Sequence, residues 1–320
     1  MSPNDSNQSS PPESRGSVLA WVMQTRSRAI LAIALLAALG LLLPPFGFLA
    51  SAMIALVVLR EGLGQGVLVA SVVTLAVAIV LALLAGPGAI QQGIVIGLVQ
   101  WGPVIALAAV LHRSGRLSHA LLVGALTTAA GVLAVRLLVP EIEGVWVDLG
   151  GELLARFVDQ DPDAAAQLTD ALVAAAPYLT GFAGAMLLFS LSLGLILARY
   201  WHAVLDRPGA FGAEFRALQF GVVPSGLLVV LLLLGPLSGL AVLSELALPL
   251  AVLFFFQGLA VVHDVRHRLQ AGTFWLVGVY VLLVILAPQV AVFLITLGAL
   301  DAVLRLRERV QKGGRPDREE

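Results

Sequence analysis

Uncharged, apolar runs about as long as a membrane is thick recur along this chain, for example at 67–85, 89–111 and 177–198. A hydrocarbon core of about 30 Å takes roughly 20 apolar helical residues to cross, and a soluble core has no use for so many buried helices of that length. The composition agrees: of 320 residues, 59% are hydrophobic and 12% charged, and the mean hydropathy is +0.97. The chain therefore reads as all-α, a polytopic helical transmembrane bundle. The absence of cysteine excludes a disulfide framework, thiol catalysis and thiolate metal sites.

Residues 1–28 open with a Ser-, Pro- and Asn-rich stretch expected to be a disordered cytoplasmic tail, ending in Trp21, Arg26 and Arg28 before the first apolar run. That run, with Ala50-Ser51-Ala52 behind it, imitates a secretory signal. It is expected to be retained, because further apolar segments follow. Reading apolar runs between charged or Pro/Gly breaks gives candidate helices at 29–43, 46–59, 67–85, 89–111, 119–139, 177–199, 221–235, 246–263, 273–287 and 289–304. The first and last pairs are short for full spans, so eight to ten membrane helices, paired into hairpins, are expected within a 29–304 domain.

Charge sets the orientation. With the amino terminus in the cytoplasm, all nineteen Lys and Arg except Arg136 and Arg156 fall on the cytoplasmic side, including those of the basic tail 305–320. The outer segment 140–176 carries eight acids against Arg156 alone. Within it Asp161-Pro162 reads as an N-cap followed by proline at the first helical position. Both ends are thus expected in the cytoplasm.

Few polar residues fall inside the expected spans. Gln91, Gln92, Gln100 and Trp101 lie in 89–111, Arg136 in 119–139, Gln257 in 246–263 and Asp301 in 289–304. Such groups face protein or a water-filled cavity, because hydrocarbon offers them no partner. Arg136 is expected to snorkel toward the outer acids, and Asp301 to pair with Arg305 one helical turn away. Gly93 and Gly97 form a GxxxG face for close helix contact, one turn before Gln100, Trp101 and Gly102. Gln100, Trp101 and Gln257 are the candidate ligand-binding residues, as polar and aromatic walls of a pocket.

The stretch 199–218 reads as a helix end, a Pro-Gly turn and a short amphipathic segment with Phe211, Phe215 and Leu218 on one face. Arg199, Trp201, Phe211, Glu214 and Phe215 are its candidate contacts to a protein partner or to anionic lipid at the cytoplasmic face. All five histidines fall at cytoplasmic helix ends, where they are expected to be incidental. No GxSxG, Walker A, HExxH or CxxC signature occurs, so no catalytic residues, metal site, cofactor or nucleic-acid partner is expected, and the protein is not expected to be an enzyme.

Leu197-Ala198-Arg199-Tyr200-Trp201-His202, Pro208-Gly209-Ala210-Phe211, Glu214-Phe215 and Phe256 to His263 resemble the YybS-like family of uncharacterised bacterial membrane proteins. The resemblance covers most of residues 22–310 and implies the inner membrane without naming an activity. That family is distantly similar to the substrate-binding subunits of energy-coupling-factor vitamin transporters, whose Ala-x-x-x-Ala helix contact Ala34 and Ala38 match, and to the rod-shape protein MreD. Two functions follow as expectations: a transport-related small-molecule-binding protein, or a non-enzymatic envelope scaffold.

Overall fold

The computed structural model describes residues 17–158 and 162–308, and all regular structure among them is helical. In chain order the helices are α1 (Ser17–Val22), α2 (Arg26–Gly40), α3 (Pro44–Glu61), α4 (Leu63–Ala85), α5 (Ala89–Ser114), α6 (Leu117–Leu138) and α7 (Ile142–Val158). There follow α8 (Pro162–Asp206), α9 (Ala210–Arg216), α10 (Val222–Ser238), α11 (Ala241–Arg268), α12 (Phe274–Ile285) and α13 (Ala287–Leu304). Each of the ten runs read from the sequence is a helix. Breaks fall where the chemistry demands them: Gly62 and Gly86 take positive φ values of 88° and 92°, which only glycine adopts without strain. Proline opens α3 and stands in the first turn of α13, where a missing N–H costs nothing.

Among the described residues, six helices are long and apolar enough to cross a membrane: α4, α5, α6, α8, α11 and α13. The apolar α10 and α12, with 17 and 12 residues, and α2, with 15, are shorter. Length and composition alone thus pick out six of the expected eight to ten spans. The apolar runs were there, but Gly and Pro breaks cut several of them below a bilayer's thickness. The helical surface also fits lipid. On α4, Leu68, Val72, Leu75, Ile79 and Leu83 are all exposed, a stripe that water would penalise and hydrocarbon would not.

The described residues form two compact units. In the first, made of residues up to His112 with Gly194–Phe211, α2, α3 and α4 pack together around the nearly continuous buried run Ala50–Leu59 of α3. The GxxxG face does what its spacing predicts. A Cβ on Gly93 would collide with Ala78 and one on Gly97 with Thr74, so two glycines let α5 lie directly against α4.

The second unit holds Arg113–Leu193 and residues from Gly212 onward. Its centre is α11, whose most apolar 18-residue window is 78% buried, packed by α6, α10 and α13. Gly258 and Gly298 set the closest approach: a Cβ on either would strike backbone of the facing helix, at Leu294 and Phe254 respectively. Phe189 stacks on Phe256 and meets Phe255 edge-on, filling the same core with rings.

Residues 17–28 are not featureless, since α1 and the start of α2 occupy them, with the Arg28 guanidinium 4.5 Å from the Trp21 ring centre. The expected N-cap Asp161, residues 1–16 of the amino-terminal tail and the basic tail after 308 lie outside the described residues. The helix expected from Pro162 does run on into the next span, as the 45-residue α8.

Candidate functional site

In the first unit a cavity of about 150 Å³ is lined by Ala37, Gly40, Leu41, Gly47, Val77, Ile96, Gln100 and Trp101. Four helical segments contribute to it. The end of α2 and the start of α3 bring small residues, α4 brings Val77, and α5 brings the two polar side chains. Gly47 is part of the construction, because a Cβ there would sit 2.9 Å from the Gln100 amide nitrogen. Trp101 is 3% exposed, and its indole Nε1 is buried without a hydrogen-bond partner. Buried N–H groups are nearly always paired, so this unpaired donor in a residue beside the cavity is a rare feature. Pro103, inside α5, removes the amide that would bond the carbonyl of Val99, loosening the helix beside Gln100 and Trp101.

Gln257, grouped with these residues in the sequence reading, is not in the cavity's lining and has both ends of its amide engaged. It belongs to the second unit and is fully buried on α11. Its Nε2 donates to Asp301 at 3.0 Å, and its Oε1 accepts the Phe220 backbone N–H at 3.0 Å. Asp301, 1% exposed, is not paired with Arg305. Helix α13 ends at Leu304, Arg305 turns the chain with φ of 50°, and Arg307 folds back to Asp301 at 2.6 Å. The Arg307 guanidinium also donates to the backbone carbonyls of Arg216 and Leu218. Carboxylate, amide and guanidinium together satisfy the backbone of the α9–α10 connection, so this cluster reads as a structural clasp.

A second buried cluster was not legible as such. Breaking apolar runs at charges leaves Glu245 outside the expected 246–263 helix. In the structure α11 starts at Ala241, and Glu245 lies inside it with no exposure at all. Its Oε2 accepts from Arg136 Nε at 2.6 Å, and its Oε1 accepts from the Gly181 N–H at 2.8 Å. Arg136 reaches Glu143 at 2.8 Å as well, and donates to the carbonyl of Pro177. Pairing with an acid of the 140–176 segment is thus half of the arrangement, with a fully buried carboxylate as the other half. The signal in the sequence was the sign: one cation and one anion in otherwise uncharged apolar stretches.

In the stretch 199–218, α8 ends at Asp206 and a turn at Gly209 leads into α9, as the residues suggested. Arg199 and Trp201 lie in the last turns of α8 and Glu214 in α9. Phe211 meets Tyr200 edge-on at 5.6 Å, Phe215 meets His263 at 5.4 Å and Leu218 is buried. The apolar face of this segment is therefore used, at least at these residues, within the protein. His263 is held by Nδ1 to the Leu259 carbonyl, with the Tyr280 hydroxyl 3.3 Å from Nε2, and His112 contacts the Leu59 carbonyl. Among the described residues, no three His, Cys, Asp or Glu gather where they could hold a metal ion.

Compared with family models, with curated proteins and with solved structures, the chain matches none. The functional reading therefore rests on its own residues.

Proposed function

We propose that this chain is a multi-pass protein of a bacterial inner membrane, with both ends in the cytoplasm, that binds a small molecule as part of a transport process. Charge asymmetry supports the orientation: described outer residues such as Glu141, Glu143, Asp148 and Glu152 contrast with Arg60, Arg113, Arg116, Arg207 and Arg266 at the other helix ends. The six long apolar helices, joined by α2, α3, α10 and α12, make up a reading of eight to ten spans, the shortest of them tilted or entering only part-way. The residues around Arg199–His202 and Phe256–His263 support placing it with the YybS-like family.

The observation that carries the binding function is the cavity of the first unit, lined by Gln100 and Trp101 and by no charged side chain. Nothing in the sequence supplies ATP hydrolysis, so active transport through such a protein requires a partner subunit or an ion gradient. The test is a ligand screen by thermal stabilisation of the purified protein in lipid nanodiscs. Ligand that stabilises the wild type and not Gln100→Leu, with both proteins folded and inserted, supports the reading. A wild type stabilised by nothing, yet capturing a partner through its cytoplasmic face, moves the function to an envelope scaffold.

A further inference from the structure

Helix α7 carries Glu143, Asp148, Glu152 and Arg156 in 17 residues, too many charges for a span, yet it is held against two of the long apolar helices. The Arg136 guanidinium of α6 pairs with its Glu143 at 2.8 Å. Its Trp146 indole donates to the Thr180 hydroxyl of α8 at 2.8 Å, and Gly150 makes room for Leu172, since a Cβ there would collide with that side chain. Thr180 lies within the uncharged run 177–198, and Leu172 lies between that run and Asp170, the nearest charge before it. These contacts set α7 at the level where the apolar part of α8 ends.

Around α7 the residues fall into three rows, each about 100° from the next. Asp148 and Glu152 form an exposed acidic row, Val145, Leu149 and Leu153 an exposed apolar row, and Trp146 and Gly150 the row packed on α8. Leu149 is 50% and Leu153 60% exposed, so the protein leaves much of the apolar row uncovered. On both neighbouring helices apolar side chains are exposed as well, Leu137 and Leu138 at the end of α6 and Tyr178 and Phe182 on α8. The row therefore borders a surface that already suits hydrocarbon, and lipid is the cover continuous with it. We infer that α7 lies on the membrane surface, with Val145, Leu149 and Leu153 in the headgroup–acyl boundary and Asp148 and Glu152 in the water above. The polar row is acidic, so attraction to anionic headgroups plays no part and the apolar row carries the contact.

The experiment uses the full chain, which has no cysteine of its own, in phosphatidylcholine nanodiscs. A nitroxide is attached in turn to Asp148→Cys, Leu149→Cys, Glu152→Cys and Leu153→Cys. Power saturation then reads its collisions with oxygen, which concentrates in lipid, and with a neutral nickel chelate, which stays in water. The oxygen-to-nickel ratio should rise above one at Leu149 and Leu153 and fall below one at Asp148 and Glu152. Val145→Cys replaces either apolar position if that variant does not insert. Nanodiscs open both faces to the reagents, so the outcome depends neither on the proposed orientation nor on the binding function. Nickel dominating at all four positions overturns the inference and stands α7 clear of the membrane. Oxygen dominating at all four overturns the surface placement by sinking α7 into the hydrocarbon. Few collisions with either reagent at the apolar row overturn the lipid contact and give the row to a second copy of the chain or another protein.

Discussion

Arg136 and Glu245, 109 residues apart, meet at 2.6 Å where the carboxylate has no access to solvent. The pair is set into helix α8. In a regular helix the Gly181 N–H bonds the Pro177 carbonyl four residues back. Here Glu245 accepts that N–H and Arg136 donates to that carbonyl, so two side chains from α11 and α6 engage complementary backbone groups of a third helix. Gly181 permits this, since a Cβ there would collide with Glu245.

Removing one member should cost far more than removing both. Arg136→Met leaves Glu245 buried and unpaired, a loss of about 3 to 5 kcal/mol by the usual behaviour of broken buried pairs. Adding Glu245→Gln to that variant should recover part of the loss, because the neutral amide still accepts the Gly181 N–H. Unfolding in mild detergent across the double-mutant cycle measures both. A single variant as stable as wild type would show that the pair contributes nothing.

The clasp at Asp301 predicts a contrast between two neighbouring arginines. Arg307→Met strips the buried carboxylate of its cation and two backbone carbonyls of their donor, so hydrogen exchange at the Phe220 amide should accelerate and stability should fall by about 2 to 4 kcal/mol. Arg305, largely exposed and 3.9 Å from Glu308, should tolerate Arg305→Gln within about 0.5 kcal/mol. Equal losses would restore the Asp301–Arg305 pairing that helical spacing suggests.

Gly258 and Gly278 test close packing against helix propensity. Gly258→Ala places a methyl group on the Leu294 backbone and should destabilise by about 1 to 3 kcal/mol. Gly278→Ala meets nothing within 4 Å in the middle of α12 and should be neutral or gain up to about 1 kcal/mol. Thermal unfolding of the two single variants decides it.

Topology is open to direct labelling, because the natural chain has no cysteine to interfere. Asp148→Cys on α7 and Leu269→Cys after α11 both expose the new thiol. An impermeant maleimide added outside intact spheroplasts should modify the first alone. Labelling of both from the same side would overturn the proposed orientation.

The sequence by itself determined the helical class, the position of the ten main helices, the GxxxG contact at Gly93 and Gly97 and the turn at Pro208-Gly209. These follow from local properties: hydropathy over about 20 residues, backbone freedom at glycine, and small side chains one turn apart. It also singled out Gln100 and Trp101, which are conspicuous because polar groups are rare in such helices. Only the tertiary structure decided what each polar group faces. Gln100 and Trp101 share a cavity wall because Gly40 and Gly47 leave space beside them, whereas Gln257 is held by Asp301 and Phe220. Helical periodicity offered Asp301 the wrong arginine, because the chain leaves the helix at Arg305 and no local rule announces where it returns. Glu245 went unseen for a related reason. A charge reads as the end of an apolar run until its counter-charge, a hundred residues away, is brought against it by packing.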